Sequence, residues 1–256
     1  MAGCRKGTVC AVEEKNHGLL FGGEKVNKQD PARRLIVALH PKSPASEAFR
    51  SLRTNLHFAG SRKSTQIIMV TSAGPGEGKS TTLANLGVTM AQSGKRVLVI
   101  DADLRRPTQH KIFSVSSQPG LSNLLVDSAK PDDVIRPTRI DHLALLPSGP
   151  IPPNPSELLD SPEAEALWPR LAQGYDQILI DTPPALAVTD AMVLASQVDG
   201  VVVVVEAGET RRDKAKESVD MLNRAGGRVL GAVLNGVRHG DGHRYYYYYG
   251  ASQEQA

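Results

Sequence analysis

Apolar residues in this chain gather into short runs separated by amphipathic stretches, and the alternation repeats along most of its length. Residues 66–71, 97–100, 142–146, 177–180, 200–205 and 229–237 are dominated by Val, Ile and Leu, the composition of strands covered on both faces of a parallel sheet. Residues 83–91, 120–125, 163–171, 190–196 and 211–224 carry apolar side chains at helical spacing between those runs. Strand and helix in turn predict an α/β domain, with a mostly parallel sheet and helices on both of its faces.

Ahead of the first run, the break from Pro41 to Pro44 and an N-cap at Ser46 introduce a helix over 47–58. Phe49, Leu52, Leu56 and Phe58 form its apolar stripe, while Glu47, Arg50 and Arg53 step by three along an adjoining face. Spacing alone makes that triplet a solvated face with one intrahelical pair. Residues 1–34 show no sustained period and read as a flexible lead-in. The turn-rich stretch 147–159 reads as a positioned surface loop.

Between the first strand and its helix lies Gly74-Pro75-Gly76-Glu77-Gly78-Lys79-Ser80-Thr81. Gly76 and Gly78 let the backbone turn its N–H groups inward at a helix N-terminus, where unpaired donors and the helix dipole favour phosphate. Lys79 would reach the β- and γ-phosphates, and the Ser80 hydroxyl would ligate Mg²⁺. Ala73 stands where the strict pattern has glycine, yet strand, loop, Gly-Lys-Ser and helix follow in the required order. Two later strands deliver carboxylates: residues 97–100 lead into Asp101-Ala102-Asp103, and residues 177–180 lead into Asp181. Acids at the carboxyl ends of strands beside a phosphate loop suit Mg²⁺ and an attacking hydroxyl. Arg105 and Arg106 suit either phosphate or an acidic tail, or equally a solvated turn.

Composition narrows the field. With 40% hydrophobic and 22% charged residues the chain is globular, and 256 residues allow one domain with tails. No apolar run approaches the roughly 20 residues of a membrane helix, and no signal-peptide pattern opens the chain, so a soluble protein is expected. A formal charge of +3 argues against a nucleic-acid coat. Cys4 and Cys10 match neither zinc nor dithiol spacing and read as incidental thiols.

One feature is left over. Residues 245–249 are five successive tyrosines, and Tyr175 is the sixth in the chain. Neither a helical nor a strand period puts all five on one face, so packing does not explain them. Phenols on a flexible tail suit a phosphoryl-transfer site as acceptors.

With these residues the chain resembles the bacterial tyrosine kinases of capsular and exopolysaccharide type, a family built on a phosphate-loop ATPase. The likeness rests on Glu47, Arg50 and Arg53, on Pro75 to Ser80, on Asp101 to Pro107, on the loop through Pro152-Pro153-Asn154-Pro155, on Ile180 to Pro184 and on Tyr245, Tyr246, Tyr247, Tyr248 and Tyr249. It implies a kinase domain over 35–238 that uses ATP and Mg²⁺, with a tyrosine tail over 239–256. Lys79, Asp101, Asp103 and Asp181 would be catalytic, with Ser80, Asp101 and Asp181 at the metal and Asn235 at adenine. Glu47, Arg50 and Arg53 would become contacts in a ring of copies, each tail entering a neighbour's site. The resemblance also implies a cytoplasmic kinase activated at the membrane by a separate transmembrane partner, with other tyrosine substrates and no nucleic acid. The competing expectation is a partitioning ATPase. Such ATPases carry a second lysine at the position of Gly74, and a metal-cluster carrier of related fold would need a cysteine pair near its C-terminus.

Overall fold

The computed structural model describes residues 8–11, 31–59, 65–126 and 128–237. In chain order the elements are β1 (Thr8–Ala11), α1 (Ile36–Leu39), α2 (Pro44–Ala59), β2 (Ile67–Ser72), α3 (Lys79–Ala91), β3 (Val97–Asp101), α4 (Gln109–Ile112), α5 (Leu121–Leu125), α6 (Pro131–Val134), β4 (Arg136–Pro137), β5 (Leu143–Leu146), α7 (Pro155–Leu159), α8 (Pro162–Ala172), β6 (Gln177–Asp181), α9 (Asp190–Ala195), β7 (Gly200–Glu206), α10 (Arg212–Arg224) and β8 (Val229–Asn235). The strands form one sheet in the order β1-β8-β7-β2-β6-β3-β5-β4. Each neighbouring pair is parallel except β4 with β5.

Residue parity explains the unbroken apolar runs. Ile68 and Val70 of β2, Val97 and Val99 of β3 and Val202 and Val204 of β7 join a core with α1 to α4. Their neighbours Ile67, Met69, Leu98, Ile100, Val201 and Val203 join a second core with α5 to α10. Both faces of each central strand are buried, so the middle positions of these strands are apolar without alternation. On the second face Trp168 is 1% exposed, its ring N–H donating to Gln197 Oε1 at 2.7 Å.

α3 is buried nearly all round because α1 and α2 cover its outer side. Asn85 in its middle accepts from the Val37 backbone N–H at 3.0 Å and donates to the Arg34 carbonyl at 2.7 Å. A buried amide thus pairs with backbone groups that would otherwise lie unsatisfied.

Four expectations change. Thr8–Ala11, inside the expected flexible lead-in, pairs with β8 as an edge strand; four residues are too few to show a period. The cap of α2 is Ser43, whose Oγ accepts from the Ser46 N–H at 3.2 Å, because Pro44 preset at the first helical position starts the helix earlier. Phe58 leaves the stripe and is 67% exposed, lying in the last turn of α2. The 147–159 loop ends in the short helix α7, which buries Pro155 and Leu159.

Candidate functional site

Because β2, β3, β6, β7 and β8 run parallel, their carboxyl ends meet at one edge of the sheet, and every predicted nucleotide residue arrives there. Gly76 and Gly78 follow β2 with φ of 86° and 85°, a region closed to most side chains. Behind the turn, Asn235 at the end of β8 donates from Nδ2 to the Glu77 carbonyl at 3.2 Å. A Cβ on residue 78 would lie 2.1 Å from that same nitrogen, so close approach demands glycine as firmly as the dihedral does. The Glu77 side chain is only 8% exposed. Its Oε2 accepts from the Ala73 N–H at 2.9 Å and its Oε1 from the Thr210 hydroxyl at 2.7 Å. Glu77 therefore shapes the loop with its side chain, tying it to the end of β2 and to Thr210.

The acids converge on the first turn of α3. Asp101 and Asp181 are partners across β3 and β6. Lys79 Nζ lies 3.1 Å from Asp103 Oδ2, 3.1 Å from Ser80 Oγ and 3.8 Å from Asp181 Oδ1. Burial alone would lower the Lys79 pKa, but the Asp181, Asp103 and Asp101 charges outweigh it and the net direction is up. Burial, followed by the Asp181 charge, pushes Asp101 up to about 8. Burial raises Asp181 as well, against the opposing pull of Lys79. Adjacent carboxylates kept out of water resist ionising together.

The remaining partners show what the pair lacks. Asp101 Oδ2 accepts from the Thr108 and Gln109 N–H groups, each at 2.9 Å, and Asp181 Oδ2 accepts from Gln109 Nε2 at 2.8 Å. The other oxygens, Asp101 Oδ1 and Asp181 Oδ1, are buried without a hydrogen-bond partner, as are Thr108 Oγ1 and Gln109 Oε1. Every one of these orphans can accept, and buried acceptors without donors are costly. A divalent cation or its water shell satisfies such a set, so these residues fit Mg²⁺. Among the described residues no three acidic, His or Cys side chains form a ready-made cage, which suits an ion that keeps waters and phosphate oxygens as ligands.

Sequence spacing alone missed two links. Gln109 follows the Asp101 motif closely but lies 29 and 72 residues from the Ser80 and Asp181 groups it also binds. Arg105, left open as phosphate ligand or solvated turn, donates from Nε and Nη2 to the two oxygens of buried Asp190, each at 3.0 Å. Asp190 Oδ1 also accepts from the Ser156 hydroxyl at 2.5 Å, so the loop after β3 is fastened to α7 and α9. Arg106 is exposed, while its backbone N–H donates to Asp103 Oδ1 at 3.0 Å.

Glu47, Arg50 and Arg53 lie away from this edge, on α2. Arg50 pairs with Glu47 and donates to the Pro41 carbonyl at 2.6 Å. Arg53 donates to the Thr89 carbonyl of α3 at 2.9 Å. Tyr245 to Tyr249 lie outside the described residues, and Thr81 follows Ser80 in the first turn of α3.

A family model described as an AAA domain matches residues 65–211. The tyrosine-protein kinase YwqD of Bacillus subtilis is 43% identical over 218 residues, which cover 85% of this chain and 92% of YwqD. The solved kinase domain of the Escherichia coli tyrosine kinase ETK superposes with a TM-score of 0.81 at 34% identity, over 94% of each chain. The septum site-determining protein MinD of Pyrococcus horikoshii, solved complexed with Mg-ADP, gives a TM-score of 0.59 at 28% identity, over 71% of this chain and 73% of MinD.

Proposed function

Since the chain belongs to the bacterial tyrosine-protein kinases, we propose that it moves the γ-phosphoryl group of ATP to tyrosines 245–249 of a neighbouring copy. The observation that carries this reading is the meeting of Lys79 with Asp101, Asp103 and Asp181 at the first turn of α3, with two buried carboxylate oxygens that accept no hydrogen bond.

The nucleotide phosphates would lie against the backbone of Gly74 to Thr81, with Lys79 as counter-charge and Asn235 bracing the loop near adenine. Ser80, Asp101 and Asp181 would hold magnesium, which when bound offsets charge on the transferring oxygens. Asp103 is the acid with one oxygen on Lys79 and the other on a backbone N–H. It takes the phenolic proton as the tyrosine oxygen bonds to phosphorus and the bond from phosphorus to the ADP oxygen breaks.

Tail delivery is a matter of reach. Ten residues beyond Asn235 is Tyr245, an extended span of at most about 35 Å. A ring built on Glu47, Arg50 and Arg53 would present each tail to the next copy. No helix among the described residues is long and apolar enough to cross a membrane. By likeness to the capsule and exopolysaccharide kinases, the reading includes a separate transmembrane activator, a place at the inner face of the membrane through that partner, and a role in polysaccharide synthesis or export.

Incubation with Mg-ATP and detection of phosphotyrosine, beside Lys79→Met, tests the reading. Labelling is expected in the parent and almost none in the variant. Equal labelling would remove the assignment, and hydrolysis without phosphotyrosine would favour an ATPase of the MinD kind.

A further inference from the structure

Gln109 is fully buried at the start of α4, and it touches three of the site's separate elements. Its side-chain Nε2 donates to Asp181 Oδ2 at 2.8 Å and to the Ser80 carbonyl at 3.1 Å. Its backbone N–H donates to Asp101 Oδ2 at 2.9 Å. One residue thereby joins the helix after the phosphate loop to the ends of β3 and β6.

The pattern of occupied and free oxygens gives this junction its meaning. Each aspartate has Oδ2 engaged by Gln109 and Oδ1 without a hydrogen bond, the Lys79 ammonium lying 3.8 Å from Asp181 Oδ1. A carboxylate with one oxygen fixed can no longer rotate freely, so its other oxygen is held in place. An amide is suited to the task because it donates without adding charge. An Arg or Lys there would bind both acids and compete with a metal ion for them. We propose that Gln109 is a positioning residue for phosphoryl transfer, holding Asp101 and Asp181 in register with the Ser80 turn so that their free oxygens are preset for the nucleotide's metal. This rests on the magnesium-nucleotide reading of the site and goes beyond it by assigning a residue outside the phosphate-loop and aspartate motifs.

The test is equilibrium binding of a fluorescent ADP analogue with and without Mg²⁺, which needs no turnover. Gln109→Met keeps length, volume and the backbone bond to Asp101, and removes the side-chain donor to Asp181 and Ser80. Partners that orient metal ligands typically change metal affinity by about 10–100-fold when removed. Gln109→Met should therefore weaken Mg²⁺-dependent binding at least about 10-fold and leave binding in EDTA near the parent's, while the thermal midpoint falls because Asp181 Oδ2 and the Ser80 carbonyl lose a buried donor. In an Asp181→Asn background the same change should add less than about two-fold, because residues acting through one another are not additive. If Gln109→Met folds poorly, Gln109→Asn keeps the amide, shortens its reach and should show the same selective loss.

Parent-like Mg²⁺ dependence in the folded variants would overturn the proposal. So would losses that multiply in the double variant, since a mere filler of space would behave that way. A parent whose nucleotide binding ignored Mg²⁺ would instead sink the reading of the site itself, and the two failures are distinguishable.

Discussion

Gly78→Ala isolates the contact between β8 and the phosphate loop. The backbone there has φ +85° and a Cβ would come within 2.1 Å of Asn235 Nδ2. Holding an L side chain in the left-handed region costs about 1–2 kcal/mol. Displacing Asn235 forfeits its hydrogen bond to the Glu77 carbonyl, worth about 1 kcal/mol. The variant should then lose about 2–3 kcal/mol, and at about 2–4 °C per kcal/mol for a domain of this size its thermal midpoint should fall by roughly 5–10 °C. In an Asn235→Ala background the overlap and the bond are already gone, leaving only the dihedral cost. The cycle Gly78→Ala, Asn235→Ala and the double variant, followed by thermal unfolding, should show a coupling of about 1 kcal/mol. Strict additivity would refute the claim that Asn235 fills the space a Cβ needs.

Three more outcomes follow from the same geometry. Arg105→Ala strips the guanidinium from fully buried Asp190; breaking a buried pair costs about 3–5 kcal/mol, but Arg105 is 40% exposed and Ser156 still donates, so about 2 kcal/mol is expected. A midpoint within about 1 °C of the parent would contradict this. Asp101, pushed up to about 8 in the fold from about 3.9 unfolded, keeps a proton that the unfolded chain gives up. Its stabilising contribution is complete below about pH 4 and is lost as pH rises toward about 8. The metal-free thermal midpoint should fall across that window and Mg-ADP should flatten the slope; an unchanged or rising midpoint would count against a buried neutral Asp101. Replacing Tyr245 to Tyr249 with phenylalanine should abolish phosphotyrosine and any ATP-driven change in sedimentation, and normal behaviour of both would remove the tail from the mechanism.

The sheet was legible because its strands are buried on both faces, which writes an unbroken apolar run into residues 67–70 or 201–204. The phosphate loop and the acids ending β3 and β6 were legible because each is local: a strand, then the chemistry. Links across long sequence separations were not. Nothing near Gln109 announces Asp181, and nothing near Arg105 announces Asp190, because an amide or guanidinium finds its partner only through the order of strands. Spacing points to Ser46 as the cap of α2, but Pro44 at the first helical position starts the helix earlier and Ser43 holds the cap. Asn85 binds the backbone of Val37 and Arg34 across a long sequence separation, and nothing in the helical period of α3 marks it for that.

The bond from Asn235 to the Glu77 carbonyl makes the root of the tyrosine segment and the nucleotide cradle parts of one mechanical joint. If nucleotide shifts this contact, reciprocity requires that a pull on the chain beyond β8 change nucleotide affinity by the same free energy.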